Sequence, residues 1–181
     1  VIEYDNYPEN PRKWSNLGYF ITIDRNYNSP DDNETLKNII KEGGNISENQ
    51  KDHIAFIKKE YQKEAGEKIL AIYPVTKYEH SGVVYRLGTQ KGFDYSNNGF
   101  YIITDKTQKE TGTPKKLFEK VIADELETYT QWCNGEVYQY ALYDNEGEIV
   151  DSCAGCYHIN DIKGELPDEW KNENLLDYIK Q

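Results

Sequence analysis

The chain has 181 residues, of which 37% are apolar and 29% charged, with 13 Gly and only 6 Pro, a balance that supports a packed core and excludes a disordered chain. No apolar run is long enough to span a bilayer, and VIEYDNYPENPRKW lacks the basic-then-apolar layout of a secretion signal, so no membrane partner is expected and the cytoplasm is the expected compartment. A formal net charge of -11 repels a phosphate backbone and argues against a protein that coats nucleic acid.

In chain order, Leu17 to Ile23 (LGYFITI) is rich in aromatic and β-branched residues and reads as a strand, followed by a loop ending in Ser29-Pro30-Asp31-Asp32. Leu36, Ile39 and Ile40 share the face of a short helix, with Gly43-Gly44 as its expected stop. Ser47 with Gln50 fits a capping box for a second helix, whose buried face runs through Ile54, Ile57, Tyr61 and Ala65 to Gly66. Ile69 to Val75, Gly82 to Gly88 and Gly99 to Asp105 follow as three neighbouring antiparallel strands. Thr113 as cap and Pro114 at the first helical position open the longest helix, with Phe118, Val121, Ile122, Leu126 and Tyr129 as its apolar stripe up to Gly135. Glu136 to Tyr143 and Glu148 to Cys153 form two more strands across the hairpin loop Asp144-Asn145-Glu146-Gly147, and Trp170, Leu176 and Ile179 mark a short closing helix. Because strands and helices come in groups, the fold class expected is α+β: one domain over residues 1–181, an antiparallel sheet with two to three helices packed against it.

Charge is unevenly distributed. Residues 1–60 hold 11 acidic and 8 basic side chains, residues 61–120 hold 7 and 10, and residues 121–181 hold 14 and 3. The last third therefore carries a charge equal to that of the whole chain, and its field steers a basic partner.

Few groupings promise chemistry. Cys153-Ala-Gly-Cys156-Tyr-His158, with Cys133, has the ligand types of a zinc site, but one CxxC without a second paired motif is a weak signal. Three cysteines are also too few, and odd in number, for a disulfide framework, so reduced, packed thiols are expected and neither metal nor cofactor is assigned. His80 and Ser81 are neighbours that a strand would point to opposite faces, and they read as turn residues rather than a base and nucleophile. Neither GxxxxGK[ST] nor GxGxxG occurs. No catalytic residue is assigned, and a small hydrolase is the weakest alternative.

Binding residues are easier to nominate. Lys58, Lys59 and Lys63 suit the C-terminal end of their helix, where the macrodipole favours cations, and Arg12 with Lys13 forms a smaller basic pair. Lys115 and Lys116, with Lys120, sit at a helix start, where a cation costs from a few tenths up to ~1 kcal/mol. They are the candidate nucleic-acid contacts. Among 16 tyrosines, Tyr138, Tyr140 and Tyr143 flank the acidic hairpin and suit the centre of an interface. The acidic contacts expected around them are Asp124, Glu125, Glu127, Glu136, Asp144, Glu146, Glu148 and Asp151.

At Ile2 to Gly18 (IEYDNYPENPRKWSNLG), Tyr78 to Gly88 (YEHSGVVYRLG), Gly99 to Lys106 (GFYIITDK) and Gly135 to Gly155 (GEVYQYALYDNEGEIVDSCAG), the chain resembles the type II-A anti-CRISPR proteins of phages and mobile elements. The resemblance implies a protein of the host bacterial cell that binds Cas9, or Cas9 with its guide RNA, and prevents cleavage of target DNA; a secondary contact with DNA is expected only through the basic cluster of Lys115, Lys116 and Lys120. Those motifs have no assigned catalytic roles. An inhibitor of restriction or of another host DNA-handling enzyme is the alternative of the same class.

Overall fold

The computed structural model describes residues 1–24, 28–46 and 49–180, Ile46 in its backbone only. It is a mixed α and β structure with two antiparallel sheets, in agreement with the α+β expectation. Two compact units divide the chain: a central unit, Arg12–Glu127, and a split unit built from Val1–Pro11 with Thr128–Gln181.

The split unit opens with β1 (Ile2–Tyr4), and the central unit then supplies β2 (Tyr19–Thr22), α1 (Glu34–Ile46), α2 (Gln50–Ala65), β3 (Ile69–Glu79), β4 (Val83–Leu87), β5 (Tyr95–Thr104) and α3 (Asp105–Thr111). Its four-stranded sheet has the order β2-β5-β3-β4, every neighbour antiparallel. Ile21, Phe100, Ile102 and Ile69 of the sheet pack with Leu36, Ile39 and Ile40 of α1 and Ile57 and Tyr61 of α2 in one core, so the α1 stripe and the middle of the α2 stripe meet the strands. Ala65, expected on the same face of α2, is instead exposed, and Ile54 is only half-buried. The right-handed path of α2 ends where Gly66 takes φ 70, and its N–H caps the Gln62 carbonyl.

Several boundaries differ from those expected, each for a local reason. Gly43-Gly44 does not stop α1, which runs on to Ile46. A Cβ on Gly43 would lie 2.6 Å from the His53 ring and 2.8 Å from that of Phe56, so this glycine admits α2 at close range. Ser47 lies outside the described residues; the N-cap of α2 is Asn49, whose side chain accepts the Lys51 N–H at 3.0 Å. Thr104 and Thr107 form a reciprocal capping box that opens α3 at Asp105, which had been expected as the last residue of the strand, with no helix expected between it and Thr113.

α4 (Phe118–Asn134) begins four residues beyond Pro114, which is extended at ψ 146 and precedes a 3-10 turn, Lys115–Leu117. Lys115 and Lys116 thus lie in that turn and not in the first α-helical turn, a correction to the placement expected from Thr113-Pro114. Residues of α4 up to Glu127 belong to the central unit and those from Thr128 to the split unit.

Beyond α4, the split unit adds β6 (Tyr138–Tyr143), β7 (Ile149–Cys156) and α5 (Ile159–Glu165). These strands do not extend the central sheet; with β1 they form a second, three-stranded antiparallel sheet in the order β1-β6-β7. Ile2, Tyr140, Cys156, Ile162, Leu166 and Leu175 make its core. The closing helix expected around Trp170, Leu176 and Ile179 is replaced by two 3-10 turns, Asp168–Trp170 and Leu175–Tyr178. Leu175 rather than Leu176 is buried there, because a turn this short presents only one apolar position to the core.

Candidate functional site

The fold sorts charge more sharply than the sequence thirds do. The split unit holds 14 acidic and 3 basic side chains, and the central unit 18 of each. The entire net charge of -11 therefore belongs to the split unit: Val1–Pro11 brings Glu3, Asp5 and Glu9 to the acidic C-terminal part, while Asp124, Glu125 and Glu127 stay with a central unit whose charges balance. Twelve of its fourteen carboxylates are on exposed residues, from Glu9 and Glu136 to Asp177. Lys180 pairs with Glu3 at 3.5 Å and Lys171 with Asp168, yet three cations cannot neutralise fourteen carboxylates, and a negative field reaches solvent.

Within that unit the hairpin of β6 and β7 brings Asp144, Glu146, Glu148 and Asp151 together with Tyr138, Tyr140 and Tyr143. They do not serve alike. Asp144 Oδ1 accepts the N–H groups of Glu146 and Glu148, both at 2.9 Å, and so shapes the loop that displays those two carboxylates. Tyr140 is buried and donates its hydroxyl to Asp151 Oδ2 at 2.7 Å; this bond, with burial, raises the tyrosine's pKa above the ordinary value. Tyr138 is half-buried, stacked on Tyr4 at 5.3 Å, and its pKa is raised by burial and by that neighbour. Tyr143 is 47% exposed and opposes Ile149, which with Val150 is 58% exposed. These two aliphatic residues were not singled out from the sequence. Their signal is the adjacent β-branched pair in Glu148-Ile149-Val150-Asp151, which breaks the alternation of a strand with one wet face. Glu136 is exposed just before β6.

The remaining acidic candidates lie in the central unit, on α4. Asp124 and Glu127 are exposed, and Asp124 forms an ion pair with Lys120 at 2.6 Å, one helical turn away. Lys115 and Lys116 are exposed in their 3-10 turn.

Glu125 is different in kind. Its Oε2 accepts Arg12 Nη1 at 3.0 Å and the Tyr101 hydroxyl in a short bond, while Oε1 accepts the Leu17 N–H at 2.8 Å. Arg12, its side chain only 3% exposed, also forks onto Asp31 through Nε at 2.9 Å and Nη2 at 2.6 Å and donates to the Gly18 carbonyl at 2.8 Å. Burial works against the Arg12 cation, and the hydrogen bonds and charge of Asp31, with the Tyr101 and Glu125 oxygens, outweigh it and raise its pKa. Burial and the Glu125 charge likewise raise the pKa of Tyr101. The carboxylate of Glu125 is thus committed inside the central unit, where Arg12 joins the chain before β2 to the helix α4.

The zinc-like residues do not assemble: among the described residues no group of three or more His, Cys, Asp or Glu side chains is placed to hold a metal. Cys133 and Cys153 are exposed, Cys156 is buried, and burial with the neighbouring Cys153 pushes the Cys156 thiol up to about 12. A thiol kept protonated at neutral pH is a poor ligand and a poor nucleophile. His158 hydrogen-bonds Gln131 through Nδ1 at 3.0 Å. His80 and Ser81 lie in the turn between β3 and β4, exposed, with the His80 ring 4.0 Å from Asp94. No described helix is long and apolar enough to cross a membrane.

The class of protein thus defined is an α+β chain whose acidic unit presents a hairpin with an aromatic and aliphatic centre and a carboxylate rim. No protein-family model, curated protein or solved structure matches it.

Proposed function

We propose that the chain is an anti-CRISPR protein of the bacterial host cytoplasm that binds Cas9, alone or with its guide RNA, and inhibits cleavage of target DNA stoichiometrically, making and breaking no bonds itself. The observation that carries this reading is the segregation of the whole net charge of -11 into one unit. Cas9 holds its nucleic acids in positively charged channels, and an acidic surface with a partly apolar centre occupies such a channel in place of the phosphate backbone. The four-part resemblance, from Ile2 to Gly155, supports the same partner. Glu136, Glu146, Glu148 and Tyr143 are the contacts in the split unit, with Asp144 shaping the loop and Asp151 held by Tyr140. Lys115 and Lys116, with Lys120, are the candidates for a secondary contact with DNA.

The test is a titrated Cas9 cleavage assay with the chain added before or after guide and target. Inhibition is expected to saturate near equimolar. The triple variant Glu136→Lys, Glu146→Lys and Glu148→Lys takes the split unit from -11 to -5 and is expected to weaken binding at least about tenfold, with a flatter salt dependence. Unchanged inhibition by that variant refutes the acidic-surface mechanism. Turnover at ratios far below one refutes action by binding alone, and inhibition of a restriction nuclease but not of Cas9 transfers the reading to the alternative target.

A further inference from the structure

The two edges of the three-stranded sheet are treated differently by the fold. Along β1, Ile2 bridges to Ile179, and its carbonyl accepts the Lys180 N–H at 2.8 Å, so the C-terminal turn covers that edge. Among the described residues β7 pairs only with β6, and every residue from Ile149 to Gly155 is exposed. The ladder fixes which of its groups face outward. Ala141 gives its N–H to the Val1 carbonyl on the β1 side, so in an antiparallel register its partner Ser152 turns its own N–H and C=O away from β6. Near one end of this edge, the Gly155 N–H is taken by Asp5 Oδ2 at 3.1 Å.

Proteins usually guard such an edge with lysine, proline, bulges or inward charges. The β6–β7 ladder shifts register between Tyr138 and Tyr140 and between Leu142 and Tyr143, and Ser152 lies in the regular stretch between the two shifts, Asp151 to Cys153. Ile149 to Cys153 has no lysine or proline, its exposed Ile149 and Val150 favour strand pairing, and the one charge, Asp151, is tied to the Tyr140 hydroxyl. We propose that the open edge of β7 is a strand-addition site for an extended, lysine- or arginine-bearing segment of a partner protein. Main-chain bonds at Ser152 would supply register, Ile149 and Val150 apolar contact, and Glu146 and Glu148 the choice of a basic strand. A second copy is the wrong occupant, because pairing β7 with β7 sets two units of charge -11 edge to edge. The inference rests on the reading that the acidic unit binds a basic protein and specifies how.

The critical variant is Ser152→Pro. It removes an outward donor while leaving the bonds to β6, and Ser152→Ala is its control. The full chain is titrated with a short peptide alternating lysine and valine, and separately with Cas9, with amide exchange followed along β7. Expected are binding of the peptide, slowed exchange at Ser152, and a loss of at least about tenfold in affinity for Ser152→Pro but not Ser152→Ala. If the proline variant has lost its fold, as judged by exchange of the β6 amides, the Ser152 amide in the wild-type complex decides alone: unslowed exchange overturns the proposal. Absence of peptide binding overturns it as well, as does a wild-type dimer that Ser152→Pro dissociates. Cas9 binding that survives Ser152→Pro and leaves Ser152 exchange unslowed sinks the edge while sparing the proposed function. Failure of Cas9 to bind, with the peptide still binding, does the reverse.

Discussion

Replacing Glu125 by alanine would show whether this carboxylate serves the fold or a partner. The side chain answers three donors: the Arg12 guanidinium, the Tyr101 hydroxyl and the Leu17 N–H. Losing the charged bond costs about 1.5–3 kcal/mol, and each neutral donor left without an acceptor costs about 1–3 kcal/mol more. These terms share one site and do not add, and Asp31 still pairs with Arg12, so the expected loss is about 3–5 kcal/mol, the range for breaking a buried ion pair. Against a typical stability of about 5–15 kcal/mol that is a large fraction. The assay is urea unfolding followed through Trp14, the tryptophan of the central unit, with Trp132 and Trp170 replaced by phenylalanine in both parent and variant. Glu127→Ala, an exposed position on the same helix, should change stability by less than about 0.5 kcal/mol. A loss below about 1 kcal/mol for Glu125→Ala would refute the reasoning, because it would mean that the three donors find water as easily as they find the carboxylate.

Two further outcomes follow from the same structure. Tyr140→Phe removes the hydroxyl that Asp151 accepts and is expected to cost about 1 kcal/mol of stability, measured by urea unfolding; a neutral result would show that the bond does not order the hairpin. Stability is also expected to fall as pH rises past 10. Tyr101 keeps its proton in the folded state beyond its ordinary value of 10.0 because of burial and Glu125. The unfolded chain then binds fewer protons than the native one, and each such tyrosine removes about 1.4 kcal/mol per pH unit above that point. Tyr19, Tyr140 and Tyr157 shift the same way. A thermal midpoint that stays constant from pH 9 to about pH 11 would contradict this.

Periodicity carried much of the fold. The stripes through Leu36 and Ile39, through Ile57 and Tyr61, and through Ile122 and Leu126 are buried, since burying one helical face is a local pattern. What was hidden depended on partners distant in sequence. β1 is three residues long, too short to show alternation, and exists because Ile2 and Tyr4 find Tyr140 and Tyr138. Gly43 reads as a helix stop by type, and only the proximity of His53 and Phe56 shows it to be a close contact. The Thr104 and Thr107 box was missed because the second threonine stands where glutamate or glutamine usually signals a cap. At the candidate site, the hairpin and its carboxylates were legible as a turn flanked by strands. The role of Glu125 was not, because it depends on Arg12, which is 113 residues away.

The split unit has an order of assembly written into it. Ile2 and Tyr4 leave the ribosome ahead of the whole central unit, but β6, the strand they pair with, emerges well over a hundred residues later. The continuous central unit can fold during that interval, and domains generally do fold as units while the chain is still growing. The first strand must wait unpaired throughout, and contacts so far apart in sequence close slowly. The acidic surface is therefore completed only after the central unit has been made, and a nascent chain stalled before β7 would hold the electrically neutral body without the part proposed to engage a nuclease.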